Sequence, residues 1–154
     1  MVFSDDGGGF SFSCTDAKIS ICASTWNTRL SQLARIAGPV YVMTGELPDL
    51  DFITRIISKR PRDIYIIANT VALFEAQQLK SRFPMVRIAL HPKTNAKIVL
   101  VAPETVWLSS ADFGRTDKIE SAIGLHSPIA YKRAQESLFD AIWKEATELA
   151  SGPA

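Results

Sequence analysis

Between Lys18 and Phe83 the spacing of apolar residues switches repeatedly between a period of two and a period near three and a half. "KISICAS" (18 to 24) reads as a short strand. Trp26, Leu30, Leu33, Ala34 and Ala37 then recur at spacings that share one face of a helix, which Gly38 and Pro39 stop before the strand "VYVMT". Pro48 and Asp49 open a second helix through "DLDFITRIISK", "DIYIIAN" makes a third strand and "TVALFEAQQLKSRF" a third helix. Such βαβαβα alternation predicts an α/β layer architecture with parallel strands and right-handed crossovers.

From Val86 the rhythm changes. "VRIAL", "AKIVLVA", "TVWLSS" and "ESAIGL" are strand-like runs with no helix among them, joined by hairpin turns. Ser127 is a good N-cap with Pro128 in the first turn, and the closing helix carries Tyr131, Leu138, Ile142 and Leu149 on one face. The expected fold is a mixed, mostly parallel sheet flanked by helices.

With 154 residues and 47% hydrophobic content, the chain can bury one core, so residues 1–154 are expected to form a single domain with flexible ends at 1–10 and 151–154. Seventeen basic side chains against sixteen acidic ones give a formal charge of +1. That balance lacks the overall footprint of a basic nucleic-acid binder, so any phosphate-binding patch must be local.

Cys14 and Cys22 are too few for a disulfide framework or a zinc site; free thiols are the default, with a bridge between adjacent strands left open. "MVFSDDGGGFSFSC" carries acids and glycines where a signal peptide needs basic and apolar residues, and no segment reaches a membrane-spanning length. A soluble cytoplasmic protein is expected, with no membrane contact, metal or cofactor.

The segment with chemical content is "TNAKIVLVAPETVWLSSAD", Thr94 to Asp112. Asn95-Ala96-Lys97 precedes an apolar strand and Ala102, a Pro103-Glu104 turn, a second strand, and Ser109-Ser110-Ala111-Asp112. This layout resembles the phospholipase D superfamily signature: His-x-Lys, four apolar strand residues, usually an Asp, a hairpin, then Gly-Ser-x-Asn. Asn95 falls on the motif histidine, Lys97 on the lysine, Ala102 on the aspartate, Ser110 on the serine and Asp112 on the asparagine. "IESAIGLHSPIAYKRAQESLFDAIW" is similar to the end of the superfamily's small bacterial endonucleases, with Glu120 at the position of a strand-opening glutamate. The resemblance runs from Val86 to Trp143, and before that only the order of elements supports it.

The resemblance implies a phospholipase D-like fold and a metal-independent phosphodiesterase acting on nucleic acid, DNA in preference to RNA, as a homodimer that supplies one motif per chain. In such enzymes one histidine attacks phosphorus and that of the second motif protonates the leaving oxygen. Lysine, serine and asparagine side chains hold the non-bridging oxygens, and the glutamate orients the attacking ring. Lys97, Ser110, Asp112 and Glu120 would take these roles, and position 95 that of the nucleophile. A carboxamide neither attacks nor titrates near neutrality, so with Asn95 the chain is expected to be inactive while Lys97 and Ser110 still grip phosphate.

Two accounts of Asn95 stay open. The chain is an active family member carrying one disabling change, or the motif has decayed into a module that binds nucleic acid or a protein partner without catalysis. Ala102, Ser109 and Asp112 depart from the pattern and favour decay; yet the first two replace residues that mainly shape the fold, and Asp makes some of the hydrogen bonds of Asn.

Other polar residues have plainer readings. His91 and Lys93 form a literal His-x-Lys, but counting from His91 puts the aspartate and serine positions at Ile98 and Val106. His91 is therefore a loop residue beside the site, with Lys93 a candidate phosphate contact. Arg115 and Lys118 lie in a glycine-containing loop and are further candidate backbone contacts, against the alternative of simple solvation. His126 is expected to be structural, "SKRPR" (58 to 62) to serve a helix end, and Trp26, Trp107 and Trp143 to be core or interface residues.

Overall fold

The computed structural model describes residues 15–21 and 33–152. Cys14, Cys22 and the start of the helix expected through Trp26 and Leu30 fall outside them; the described end of that helix is a 3-10 turn, Leu33–Arg35, with Leu33 buried.

The described strands are β1 (Ala17–Ile21), β2 (Val40–Thr44), β3 (Ile64–Asn69), β4 (Arg87–His91), β5 (Ile98–Val101), β6 (Thr105–Ser109), β7 (Ser121–His126) and β8 (Thr147–Glu148). They form one sheet in the order β1-β7-β6-β5-β2-β3-β4-β8. Helices α1 (Leu50–Ile57) and α2 (Leu73–Arg82) carry the chain back across one face, which makes the β2–β3 and β3–β4 pairs parallel. The other five pairs are antiparallel. The sheet is mixed, with β1 to β4 and β6 running one way and β5, β7 and β8 the other.

"VRIAL" differs from the expected hairpin run: it supplies β4, the third parallel strand, and β5 then returns to the far side of β2. The closing helix also departs from its predicted form. It consists of α3 (Pro128–Ala134), a π-helical turn over Gln135–Phe139 and α4 (Asp140–Glu145), and the chain leaves it at Ala146. The π turn shifts the apolar face so that Phe139 is buried, while Leu138 is only partly so. Leu149 is not on the helix; it follows β8, and its N–H donates to the Ile88 carbonyl at 2.8 Å.

Strand alternation sorts the core into two layers. Val42, Ile66, Ile88 and Val99 face α1 and α2 with Ile53 and Ile56, while Met43, Ile67 and Leu100 face α3 and the π turn with Tyr131 and Phe139. Full burial stabilises each large aliphatic side chain by roughly 1.5–3 kcal/mol. Tyr41 and Tyr65 of the sheet meet Phe139 and Trp143 of the closing helix in one aromatic cluster, with the Tyr41 and Phe139 centroids 4.8 Å apart. Burial pushes the Tyr131 phenol up to about 12. Trp107 lies over Gly124, where a Cβ would come within 2.7 Å of its ring. Helix starts are capped as anticipated, Asp49 accepting from the Phe52 N–H at 3.1 Å and Ser127 from that of Ala130 at 3.2 Å.

β8 is held through one ion pair. Arg87 donates from Nε and Nη2 to the two Glu148 oxygens at 2.7 Å each, and its guanidinium lies 5.3 Å from the Trp143 ring centre. The hydrogen bond from Arg87 holds the Glu148 carboxyl below its ordinary range. A depressed folded-state value means that the pair stabilises above the unfolded-chain value and that its contribution is lost as pH falls through the folded one. Native-state hydrogen exchange should therefore show the protection factor of the Leu149 amide falling as pH is lowered through and below the ordinary glutamate range. Glu148→Gln should lower that protection at neutral pH and flatten its pH dependence.

Candidate functional site

Antiparallel neighbours present opposite termini at a given sheet edge, so residues distant in sequence meet there. At one edge the C-terminal ends of β2 and β6 lie beside the N-terminal ends of β5 and β7. This juxtaposition brings Lys97, Ser110 and Glu120 to a cleft of about 680 Å³. Lys97, Ser110, Asp112 and Glu120 line it, together with Arg115 and Lys118 from the loop that follows β6, and Glu46 and Asp117 add two further carboxylates. Asn95 is exposed and does not line the cleft; its carboxamide accepts from the Lys97 ammonium.

Asp112 is the most heavily engaged of these side chains. Its Oδ1 accepts from the N–H groups of Gly45 at 2.8 Å and Glu46 at 3.1 Å, and lies 3.1 Å from the Thr44 hydroxyl. Successive backbone N–H groups make an anion-binding concavity, here filled by the chain's own carboxylate. Thr44 is fully buried; its Oγ1 also accepts from the Phe113 N–H at 2.9 Å and lies 2.7 Å from the Glu46 carbonyl. Gly45 leaves room for this approach, since a Cβ there would meet Asp112 Oδ1 at 3.0 Å and Asn95 Oδ1 at 3.2 Å.

Lys97 is the cation of the cleft floor, with a side chain only 16% exposed. Its ammonium donates to the Asn95 carbonyl at 3.0 Å and to Asn95 Oδ1 at 2.9 Å, and lies 3.7 Å from Asp112 Oδ1. Ser110 is anchored on β7: its N–H donates to the Ser121 carbonyl at 3.0 Å, and its hydroxyl accepts from the Ser121 N–H at 3.0 Å while donating to Glu120 Oε2. Glu120 thus contacts Ser110, whereas the carboxamide at position 95, whose orientation was expected to fall to Glu120, is taken by Lys97.

The remaining candidates are spread unevenly. Arg115 lines the cleft but is already paired with Asp49 at 2.7 Å and lies 5.8 Å from the Phe52 ring centre. Lys118 lines it with an exposed side chain. Gly114, at φ 154°, carries this loop against the Pro48 carbonyl, where a Cβ would collide. His91 and Lys93 do not line the cleft. His91 is the last residue of β4, two strands beyond β2; its Nδ1 accepts from the Lys93 N–H at 3.2 Å and its Nε2 lies 3.6 Å from Glu145.

Ala102 lies at the opposite end of β5, its N–H 3.4 Å from the Pro39 carbonyl, and Ser109 accepts from the Ala111 N–H at 3.0 Å. "SKRPR" is also at the opposite edge, where Arg60 donates to the Ile36 carbonyl and pairs with Asp63. His126 pairs with Asp16. Among the described residues no group of three or more His, Cys, Asp or Glu is placed to hold a metal ion.

Sequence reasoning missed Thr44, Gly45 and Glu46. The one available signal was a glycine directly after an apolar strand in "MTGEL", a pattern of close backbone approach. Thr44→Val keeps the shape but leaves the buried Phe113 N–H without its acceptor and Asp112 without one donor. Urea unfolding should show a loss of about 1–3 kcal/mol, with most of it recovered in Thr44→Ser.

No protein-family model matches the sequence, and no curated protein matches it. Solved structures do match. The phospholipase D family member Nuc from Salmonella typhimurium superposes with a TM-score of 0.69 at 16% identity, over 88% of this chain and 100% of that one. NucT from Helicobacter pylori does so with 0.65 at 14%, over 87% and 100%. TrmBL2, an archaeal chromatin protein whose structure shows a novel mode of DNA binding, gives 0.65 at 12% over 87% of this chain and 54% of its own. At these identities the likeness is one of fold, and the chain has the phospholipase D-like fold that the motif layout implies.

Proposed function

We propose that this chain is a nuclease-like phospholipase D module whose cleft grips a nucleic-acid phosphodiester, and that hydrolysis of that diester, without a metal, requires a histidine at position 95. The observation that carries the reading is the convergence of Lys97, Ser110, Asp112 and Glu120 on one cleft from the ends of β5, β6 and β7, in the motif order and spacing. Lys97 would neutralise a non-bridging oxygen, Ser110 would donate to it, and a histidine beside Lys97 would be the nucleophile. Lys118 and Arg115 would contact the flanking backbone. DNA is the preferred substrate and the cytoplasm the expected compartment. No helix among the described residues is long and apolar enough to cross a membrane.

A homodimer is part of this reading, because the chain carries a single motif. Glu46, Asp112, Asp117 and Glu120 outnumber Lys97, Arg115 and Lys118 in the lining, and Arg115 is already paired with Asp49. A phosphodiester would gain little from one such cleft. A second copy would bring another Lys97 and a second motif, giving nucleophile and general acid separate origins.

A second reading, a module that binds nucleic acid or a protein without cleaving, is favoured by one feature. Asp112 occupies the place of an asparagine, and its carboxylate is bound by backbone N–H groups where an amide would offer a donor to phosphate. Comparing the native chain with Asn95→His on plasmid, single-stranded DNA and RNA in EDTA separates the two. The first reading expects cleavage by the histidine variant alone. Salt-sensitive binding by both proteins with cleavage by neither would establish the second.

A further inference from the structure

We infer that Asn95 is an internal ligand of Lys97: its carboxamide oxygen fills, from within the chain, the place that a phosphate oxygen would take, so that one side-chain rotation sets the anion affinity of the cleft. The inference rests on the reading of Lys97 as the phosphate-holding group.

Of the three ammonium protons, two are held by the Asn95 carbonyl and Asn95 Oδ1, while Asp112 Oδ1 lies 3.7 Å away as an ion-pair partner. These partners differ in freedom. The carbonyl belongs to the backbone. Asp112 is fixed by the Gly45 and Glu46 N–H groups and the Thr44 hydroxyl. Asn95 Oδ1 sits on an exposed side chain, and such a side chain changes rotamer in picoseconds to nanoseconds. It is therefore the acceptor that an incoming anion can displace.

Two further features favour this arrangement. The Lys97 side chain is 16% exposed and lines the cleft, so an anion entering the cleft can reach its ammonium. Gly45 lets the carboxamide lie against the strand end, since a Cβ there would crowd Asn95 Oδ1 at 3.2 Å. A phosphate oxygen replacing Oδ1 makes the stronger, charge-assisted bond but must first free the proton from the amide. Asn95 is thus more than an absent nucleophile, because it also competes with substrate for the cation that should hold it.

The test uses the native chain, Asn95→Ala and, as a second variant at this exposed position, Asn95→Ser. Two quantities are measured: the rate at which an amine-acylating reagent labels Lys97, followed by mass spectrometry of its peptide, and the affinity for a fluorescent single-stranded oligonucleotide at fixed low salt. Asn95→Ala is expected to raise Lys97 labelling several-fold and to tighten oligonucleotide binding by about tenfold, the range set by one hydrogen bond to a charged group. Adding Lys97→Met should abolish the gain. Unchanged labelling in both variants overturns the internal-ligand inference whatever the affinities do. Faster labelling without tighter binding overturns its premise, the phosphate-holding role of Lys97, and the anion gate with it.

Discussion

The site depends first on how Asp112 is seated on the end of β2. Two backbone N–H groups and the Thr44 hydroxyl converge on one carboxylate oxygen, which ties the segment after β6 to a strand two places away in the sheet. That oxygen also lies 3.7 Å from the ammonium of Lys97, the residue before β5. The bare backbone of Gly45 eases this approach, since a Cβ there would crowd Asp112 Oδ1 at 3.0 Å and Asn95 Oδ1 at 3.2 Å. An anion-binding turn at a strand end is a ready phosphate site. Here the chain supplies the anion itself.

This arrangement gives the cleft two opposed characters. Its geometry gathers a lysine, a hydroxyl and a glutamate where a phosphodiester could be held, yet carboxylates outnumber cations around it. The contacts already made within the chain occupy donors of two cations, Lys97 with the neutral Asn95 carboxamide and Arg115 with the Asp49 carboxylate. Proposed catalysis and proposed binding both turn on whether those contacts yield, to a second copy or to a ligand. The core offers no such latitude, because Ile53, Ile66, Ile67 and Leu100 are buried.

Much of the architecture was legible because it is written in side-chain periodicity. β2, β3 and α1 have strong apolar patterns, Asp49 caps α1 and Ser127 caps α3, and these elements start near their expected bounds. The misread parts lack such a pattern. β8 is two polar residues, Thr147 and Glu148, held by Arg87 from elsewhere in the chain. The π turn at Gln135–Phe139 changes the helical period midway, so extrapolating from Tyr131 carried the apolar face too far, to Leu149. In the site, the resemblance to the family signature singled out Lys97, Ser110, Asp112 and Glu120, and they share one cleft because a hairpin converts sequence intervals into positions across strands. The role of Gly45 and Glu46 comes from backbone N–H groups, which carry no side-chain signature; His91 fell away because β4 ends two strands from the cleft.

The central claim is that the strand ends around Lys97 form the surface that meets a nucleic-acid backbone. The most direct test is an amide chemical-shift titration of the native chain with a short single-stranded oligonucleotide at low salt, repeated at higher salt. The account expects saturable shifts concentrated at Gly45, Glu46, Lys97, Ser110 and the 115–118 loop, weakening as salt rises. Shifts confined to the β4–β8 edge and the closing helix, or none at all, would contradict it.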